Sequence, residues 1–133
     1  MDSSVRAAVV GIGRKGFKGS FIEGLYKPEL THVGAVLKTQ GLNLVAVCDV
    51  DDELCKSFIK WWGEKWKDLP METFTDYQDM MNQVKPDVVS IATPVETHAK
   101  IIRNVMRFDC VKAVLLEKPI SDNIEDAKLI VED

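Results

Sequence analysis

The chain has 133 residues, the length of one domain, and 46% of them are apolar, which is enough for a single buried core. Its formal net charge of −4 argues against nucleic acid as the main partner. Three cysteines without metal-ligand spacing, no apolar run of transmembrane length and an N-terminus unlike a signal peptide predict a cytoplasmic protein with free thiols, no metal and no membrane partner.

The first third of the chain alternates between short apolar runs and helical stretches. Residues 7–12 form an apolar run (AAVVGI) that Gly13 closes, a pattern typical of a buried strand in a parallel sheet. A helix is expected over residues 14–26 and a second, shorter helix over residues 29–39. Residues 42–47 (LNLVAV) predict the next buried strand.

The rest of the chain continues this alternation of strands and helices. The apolar side chains at positions 54, 58, 62 and 66 recur every four residues and predict a helix that packs on the sheet. The predicted elements are a helix over 52–66 capped by Asp51, a strand over 71–75, a helix over 77–84 begun by Asp76, a strand over 88–92, a helix over 96–108, a strand over 112–116 and a last helix over 121–133 capped by Ser121 or Asp122.

Five successive strand–helix alternations determine the expected fold class. They predict an α/β protein with a doubly wound parallel sheet, of the three-layer Rossmann type, with about five strands and right-handed crossovers. Because there are no repeats, linkers or low-complexity segments, residues 1–133 are expected to form one dinucleotide-binding domain.

A glycine-rich motif lies between the first predicted strand and the first predicted helix. Residues 11–16 (GIGRKG) fit the pattern G-x-G-x-x-G in the strand–turn–helix context that a dinucleotide-binding turn requires. Gly11 would allow the tight turn, Gly13 the approach of a pyrophosphate and Gly16 close packing of the helix. The loop includes Ile12, and its helix N-terminus would offer free N–H groups to the phosphates.

Asp49 follows the second predicted strand, where an acidic side chain can hydrogen-bond the hydroxyls of an adenosine ribose. A carboxylate at this position favours NAD because it repels the 2′-phosphate of NADP. The interval from Gly16 to Asp49 is 33 residues, longer than the roughly 20 of the standard fingerprint, which indicates an insertion within residues 28–40. Asp51 as the ribose ligand, or Asp49 as a helix-capping acid, remain alternatives.

Two basic residues inside the glycine motif leave NADP possible as an alternative cofactor. Arg14 and Lys15 are either solvated side chains at the start of a helix or ligands for a phosphate group. The sequence therefore predicts NAD as the cofactor, with NADP as the alternative.

Two further clusters follow the fourth and fifth predicted strands and share the carboxyl edge of the sheet, where ligands bind in such folds. Thr93, Pro94 and His98 form the first, in which His98 is either a site residue or a packing histidine. Glu117 and Lys118 form the second, in which Lys118 is either a surface ion-pair partner or a donor to a substrate.

The ordered motifs GIGRKG, CDVD, PDVVSIATPVETH and EKP resemble those of the N-terminal domain of the Gfo/Idh/MocA oxidoreductases. The resemblance implies NAD(P)-dependent oxidation or reduction at a hydroxyl or carbonyl carbon of a small molecule, commonly a sugar or cyclitol. It implies that a lysine of the EKP motif, here Lys118, lies near the nicotinamide and the substrate and supports catalysis. The cofactor-binding positions that match the family are Gly11, Gly13, Gly16, Asp49, Thr93, Pro94, His98, Glu117 and Lys118. The other residues of the glycine motif, Ile12, Arg14 and Lys15, complete the expected cofactor-binding set.

The resemblance also implies a division of labour between two domains. The family adds a further strand and a second domain that carries much of the substrate pocket. We therefore expect residues 1–133 to bind NAD(H) but to turn over substrate poorly, and to self-associate through the edge next to residues 112–116. A non-catalytic nucleotide-sensing or interaction module with the same fold is the alternative function.

Overall fold

The computed structural model describes residues 4–13, 31–67 and 69–132. Within these residues a single parallel sheet contains five strands, which confirms the predicted strand number. The strands are β1 Val5–Val10, β2 Leu42–Cys48, β3 Glu72–Phe74, β4 Val88–Ile91 and β5 Ala113–Leu116. Their spatial order is β3-β2-β1-β4-β5, so the direction of winding changes between β1 and β4. A crevice at the carboxyl ends of β1 and β4 is the usual ligand position in such a sheet.

The helices cover both faces of this sheet. Among the described residues they are α1 His32–Lys38, α2 Asp52–Lys65, α3 Tyr77–Val84, α4 His98–Val105 and α5 Ile124–Glu132, and a 3-10 turn, Val95–Thr97, precedes α4. Side chains of α1 and α2 belong to one hydrophobic cluster, and side chains of α3, α4 and α5 belong to the other. The predicted three-layer, doubly wound fold is therefore confirmed. No helix in the described ranges is long and apolar enough to cross a membrane.

The central position of β1 in the sheet explains why residues 7–10 are all apolar and do not alternate with polar residues. Ala7 and Val9 pack into the cluster beneath α1 and α2, whereas Ala8 and Val10 pack into the cluster beneath α3 and α4. Successive side chains of a strand point to opposite faces, so a strand that is covered on both faces needs apolar residues at every position. The strand ends at Val10, two residues before the predicted end, because Gly11 adopts a left-handed φ of +93° and leaves the extended conformation.

Two of the predicted helix caps are present and one is displaced. Asp51 and Asp76 accept hydrogen bonds from the backbone N–H groups of the second residues of α2 and α3, at 3.0 and 2.8 Å. The expected cap of the last helix at Ser121 or Asp122 is wrong, since α5 begins only at Ile124. Asn123 Oδ1 accepts from the N–H groups of residues 125 and 126, at 2.8 and 3.2 Å, while the Ser121 hydroxyl accepts from the Asn123 N–H in the preceding turn.

Two other helices differ from their predicted bounds. The helix expected over residues 29–39 is α1, which begins at His32 because Thr31 Oγ1 accepts a hydrogen bond from the Gly34 N–H at 3.0 Å. The helix expected over residues 96–108 is divided into the 3-10 turn and α4. The helix expected over residues 14–26 lies outside the described residues.

Candidate functional site

A cavity of about 880 Å³ lies at the carboxyl ends of the strands. It is bounded by the segments that follow β1, β2, β4 and β5, which meet at this edge because the strands are parallel. Its walls include Gly11, Gly13, Asp49, Thr93, Pro94, His98, Glu117 and Lys118. Asp51, the alternative ribose ligand, also lines the cavity, so the structure brings together nine of the residues that the sequence singled out. Arg14, Lys15 and Gly16 lie outside the described residues.

The two described glycines of the motif meet different surroundings. Gly11 has a φ of +93°, and a Cβ atom there would lie 2.8 Å from the carbonyl carbon of Ala92, at the end of β4. Its N–H donates to the Cys48 carbonyl at 2.7 Å, so Gly11 makes the tight turn and allows β1 and β4 to approach. Among the described residues, no atom lies within 4 Å of a Cβ placed on Gly13. Gly13 therefore leaves open space beside the cavity rather than relieving a contact within the fold.

Asp49 connects the second strand to the glycine turn. Its Oδ2 accepts from the Ile12 N–H at 3.0 Å, and its Oδ1 accepts from the Asp51 N–H at 2.9 Å. A carboxylate oxygen can accept more than one hydrogen bond, so Asp49 retains acceptor capacity where it lines the cavity. Ile12 contributes its backbone to this arrangement, while its side chain is buried in the core.

His98 joins the segments that follow β4 and β5. The ring is 1% exposed, and its Nε2 lies 2.9 Å from the Thr93 carbonyl oxygen. Its Nδ1 lies 2.9 Å from the Pro119 carbonyl oxygen and 3.2 Å from that of Ile120. Both ring nitrogens are engaged with backbone, so His98 shapes the wall of the cavity by holding two loops together.

Glu117 and Lys118 occupy the end of the cavity farthest from Asp49 along the sheet. The Glu117 N–H donates to the Ile91 carbonyl at 2.9 Å and continues the pairing of β5 with β4. Its Oε1 accepts from the Lys118 N–H at 3.1 Å. Its Oε2 lies 2.8 Å from Nε2 of His32, a buried residue at the start of α1. Lys118 is exposed and lines the cavity.

Sequence reasoning did not place His32 or Ser90 in the site. The Nδ1 atom of His32 is hydrogen-bonded to the Ser90 hydroxyl on β4, and Nε2 contacts Glu117. One signal was available, since Ser90 interrupts the apolar run VVSIA and a buried hydroxyl needs a partner. Its partner could not be named, because His32 is 58 residues away in the sequence.

Cys48 is the one cysteine among the residues that line this cavity. Burial, with smaller contributions from Cys55 and Asp49, raises the pKa of the Cys48 thiol to about 12. Burial also raises the pKa of Cys55, whose Sγ contacts the Asp49 and Phe74 carbonyl oxygens at 3.5 Å. Both thiols therefore stay protonated at neutral pH and do not act as nucleophiles.

Comparison with protein families gives a match over almost the whole chain. Residues 5–133 match the Gfo/Idh/MocA family, described as an oxidoreductase family with an NAD-binding Rossmann fold. The chain is 30% identical over 129 residues to inositol 2-dehydrogenase of Rubrobacter xylanophilus, with 97% of this chain and 32% of that protein covered. It is 28% identical over 132 residues to glycosyl hydrolase family 109 protein 1 of Akkermansia muciniphila, with 96% and 24% covered.

Solved structures show the same correspondence. The WlbA dehydrogenase of Chromobacterium violaceum, in complex with NADH and UDP-GlcNAcA, superposes with a TM-score of 0.74 at 25% identity and covers 99% of this chain and 32% of its own. The apo scyllo-inositol dehydrogenase of Lactobacillus casei shares the fold, with a TM-score of 0.69 at 23% identity, and the match covers 99% of this chain and 34% of that one. The chain therefore spans about a quarter to a third of the length of these relatives.

Proposed function

The chain belongs to the Gfo/Idh/MocA family of oxidoreductases with an NAD-binding Rossmann fold, and from this premise we propose that its cavity holds a nicotinamide dinucleotide for hydride transfer. Residues 1–133 form one dinucleotide-binding domain in this proposal. The substrate is a small molecule oxidised or reduced at a hydroxyl or carbonyl carbon. A sugar or cyclitol is the class we propose, because inositol 2-dehydrogenase is among the relatives.

One observation carries the proposal: the open face of Gly13 and the carboxylate of Asp49 border the same cavity. No atom of the residues that the structure describes lies within 4 Å of a Cβ at Gly13, which leaves room on that side for a pyrophosphate against the backbone. The remaining acceptor capacity of Asp49 suits the ribose hydroxyls, and its negative charge favours NAD over NADP. Asp51 also lines the cavity, and its Oδ1 caps α2, so it remains the alternative ribose ligand.

The strand order sets the direction of the dinucleotide in this proposal. Asp49 follows β2, whereas Thr93 and Glu117 follow β4 and β5 on the other side of β1. The adenosine half therefore lies over β2 and the nicotinamide half over β4 and β5. Thr93 and Pro94 line the nicotinamide half, and His98 and Glu117 shape it through their contacts with its loops.

Lys118 is the residue that we propose for the proton transfer that accompanies hydride transfer. The nicotinamide, when bound, supplies the hydride acceptor or donor. The Lys118 ammonium group is exposed at the nicotinamide end, where it can donate a hydrogen bond to a substrate oxygen and exchange a proton with it. Because the matched region is about a third of the length of the relatives, we propose that these 133 residues bind cofactor but turn over substrate poorly.

A titration with NADH and NADPH tests the proposal. The three tryptophans lie in or next to α2, so energy transfer from them to the dihydronicotinamide reports binding. We expect saturable NADH binding, weaker NADPH binding, and a loss of NADH affinity of at least about tenfold in Gly13→Leu, whose side chain would fill the space beside the cavity. The matched control is Gly63→Leu, since a Cβ on Gly63 also has no described atom within 4 Å but Gly63 lies in α2.

The outcomes separate the parts of the proposal. No NADH binding by the wild-type chain, or equal losses in Gly13→Leu and Gly63→Leu, would contradict the assigned site. Tighter binding of NADPH than of NADH would retain the cavity but assign cofactor choice to Arg14 and Lys15 rather than to Asp49.

A further inference from the structure

A buried histidine connects the first described helix to the carboxyl edge of the sheet. His32 is the first residue of α1 and is 9% exposed. Its Nδ1 is hydrogen-bonded to the hydroxyl of Ser90 on β4, and its Nε2 lies 2.8 Å from Oε2 of Glu117 after β5. The ring therefore joins three elements behind the wall that Glu117 and Lys118 present to the cavity.

The chemistry of the two partners determines how the ring is used. An ionised carboxylate only accepts hydrogen bonds, so Nε2 carries the proton that is donated to Glu117. The Ser90 hydroxyl can donate to Nδ1 in the neutral tautomer, or accept if the ring carries both protons. In either state Ser90 holds the ring in the plane in which Nε2 faces Glu117.

The arrangement of serine, histidine and carboxylate is not a hydrolytic triad. Ser90 is 1% exposed and lies in the middle of β4, where it pairs with Val9 and Leu115. A nucleophilic serine must reach a substrate atom, and this hydroxyl is enclosed by the sheet. Glu117, by contrast, lines the cavity. The effect of the ring on the site must therefore pass through Glu117.

Glu117 passes this restraint on to the lysine. One carboxylate oxygen accepts from His32, and the other accepts from the Lys118 N–H at 3.1 Å. We propose that His32 is a positioning residue: through Glu117 it fixes the peptide from which the Lys118 side chain enters the nicotinamide end of the cavity. This inference rests on the proposed function only in taking that end of the cavity as the nicotinamide end. The hydrogen bonds from His32 to Glu117 and from the Lys118 N–H to Glu117 belong to the fold itself.

Binding of two ligands tests the proposal, because only one of them reaches the β5 side. ADP-ribose occupies the adenosine and pyrophosphate part of the site, whereas NADH also occupies the nicotinamide part. His32→Phe keeps a ring but removes both nitrogens, and His32→Gln keeps an N–H donor near the position of Nε2. We expect His32→Phe to lower the affinity for NADH about fivefold and the affinity for ADP-ribose less than about twofold. This is the effect of losing one hydrogen bond that acts only at the nicotinamide end of the site.

His32→Gln should recover most of the NADH affinity, since it restores the donor to Glu117. Equal weakening of both ligands in His32→Phe, or unchanged NADH affinity in that folded variant, would overturn the proposal. If His32→Phe does not fold, Ser90→Ala replaces it, since the ring then loses only the group that orients it. The same difference between NADH and ADP-ribose is expected there, and equal losses would again overturn the proposal.

A measurement without ligand separates this inference from the proposed function. If the wild-type chain bound neither ligand, the proposed function would fail, but the path from His32 to Lys118 could still be read from the Lys118 amide resonance. We expect that ¹H–¹⁵N resonance to shift in His32→Phe, or in Ser90→Ala if His32→Phe does not fold, and to return towards its wild-type position in His32→Gln. An unmoved resonance in the folded variant would overturn the positioning role.

Discussion

Gly11 and Gly13 belong to one motif but meet different physical demands. An alanine at Gly11 would place its Cβ 2.8 Å from the Ala92 carbonyl carbon, at a φ of +93°. An alanine at Gly13 would meet no atom within 4 Å in residues 4–13, 31–67 and 69–132. We expect Gly11→Ala to lower the free energy of unfolding by at least about 2 kcal/mol and Gly13→Ala to change it by less than about 0.5 kcal/mol.

Urea unfolding followed by tryptophan fluorescence measures both values. Equal destabilisation by the two substitutions would contradict the distinction. It would mean that Gly13 is constrained by the fold and not reserved for a ligand.

The Cys48 thiol makes stability depend on pH in the alkaline range. Its pKa is raised from the ordinary 9.0 to about 12 in the folded chain, so above pH 9 the unfolded chain releases a proton that the folded chain retains. The stabilisation is therefore fully present below pH 9 and is lost as the pH rises towards 12. We expect the free energy of unfolding to fall more steeply with pH in the wild-type chain than in Cys48→Ala, by up to about 1.4 kcal/mol per pH unit.

Urea unfolding between pH 8 and 10.5 with a reductant present provides the comparison. Lysines and tyrosines titrate in both proteins, so the difference in slope isolates Cys48. Parallel pH profiles would show that water reaches the thiol in the folded state and that its pKa is not raised.

At the scale of elements, the start of α5 is determined by one side chain. Asn123 Oδ1 accepts from two backbone N–H groups of the first turn, which would otherwise have no partner inside the helix. We expect Asn123→Ala to destabilise the chain by about 1 kcal/mol and Asp122→Ala by much less. Amide hydrogen exchange in the first turn of α5 should accelerate only in Asn123→Ala. Faster exchange in Asp122→Ala instead would show that Asp122 caps α5, as the sequence predicted.

The same element shows why cap prediction works at some helices and fails at others. Asp51 and Asp76 each stand directly before the first residue of the predicted helical pattern, and both caps are confirmed. Before α5 three successive residues, Ser121, Asp122 and Asn123, can all cap. Which of the three residues caps α5 depends on the path of the backbone after Pro119 and Ile120. Their carbonyl oxygens contact Nδ1 of His98, which fixes that path.

At the scale of the whole molecule, the edge of the sheet at β5 bears on assembly. In the part of the chain that the structure describes, β5 borders β4 and no other strand. Leu115 on this strand is 55% exposed. An apolar edge strand with unpaired backbone groups invites pairing with another copy. We therefore predict that the 133-residue chain self-associates and that Leu115→Lys shifts it towards the monomer.

Sedimentation velocity over a range of concentrations measures this equilibrium. Ile59→Lys is the matched control, since Ile59 is 40% exposed but lies on α2, away from this edge. A wild-type chain that remains monomeric at high concentration, or equal effects of the two substitutions, would contradict the prediction.

The features that the sequence determined by itself are those governed by a few neighbouring residues. The apolar runs of β1 and β4, the helix caps Asp51 and Asp76 and the turn at Gly11 depend on backbone preferences and side-chain spacing within one or two turns. Because the strands are parallel, these local features also predict that Gly13, Asp49 and Lys118 meet at one edge. This much of the fold and of the candidate site follows from the order of the residues.

Only the tertiary structure decided which polar groups meet behind that edge. His32 contacts Ser90 and Glu117, 58 and 85 residues farther along the chain. His98 similarly contacts the Pro119 carbonyl group, 21 residues away. No local pattern encodes such pairs, because each depends on how a helix packs against strands from another part of the chain. Their physical cause is burial: a polar group enclosed in the core must find its hydrogen-bond partner among whatever groups the fold brings beside it.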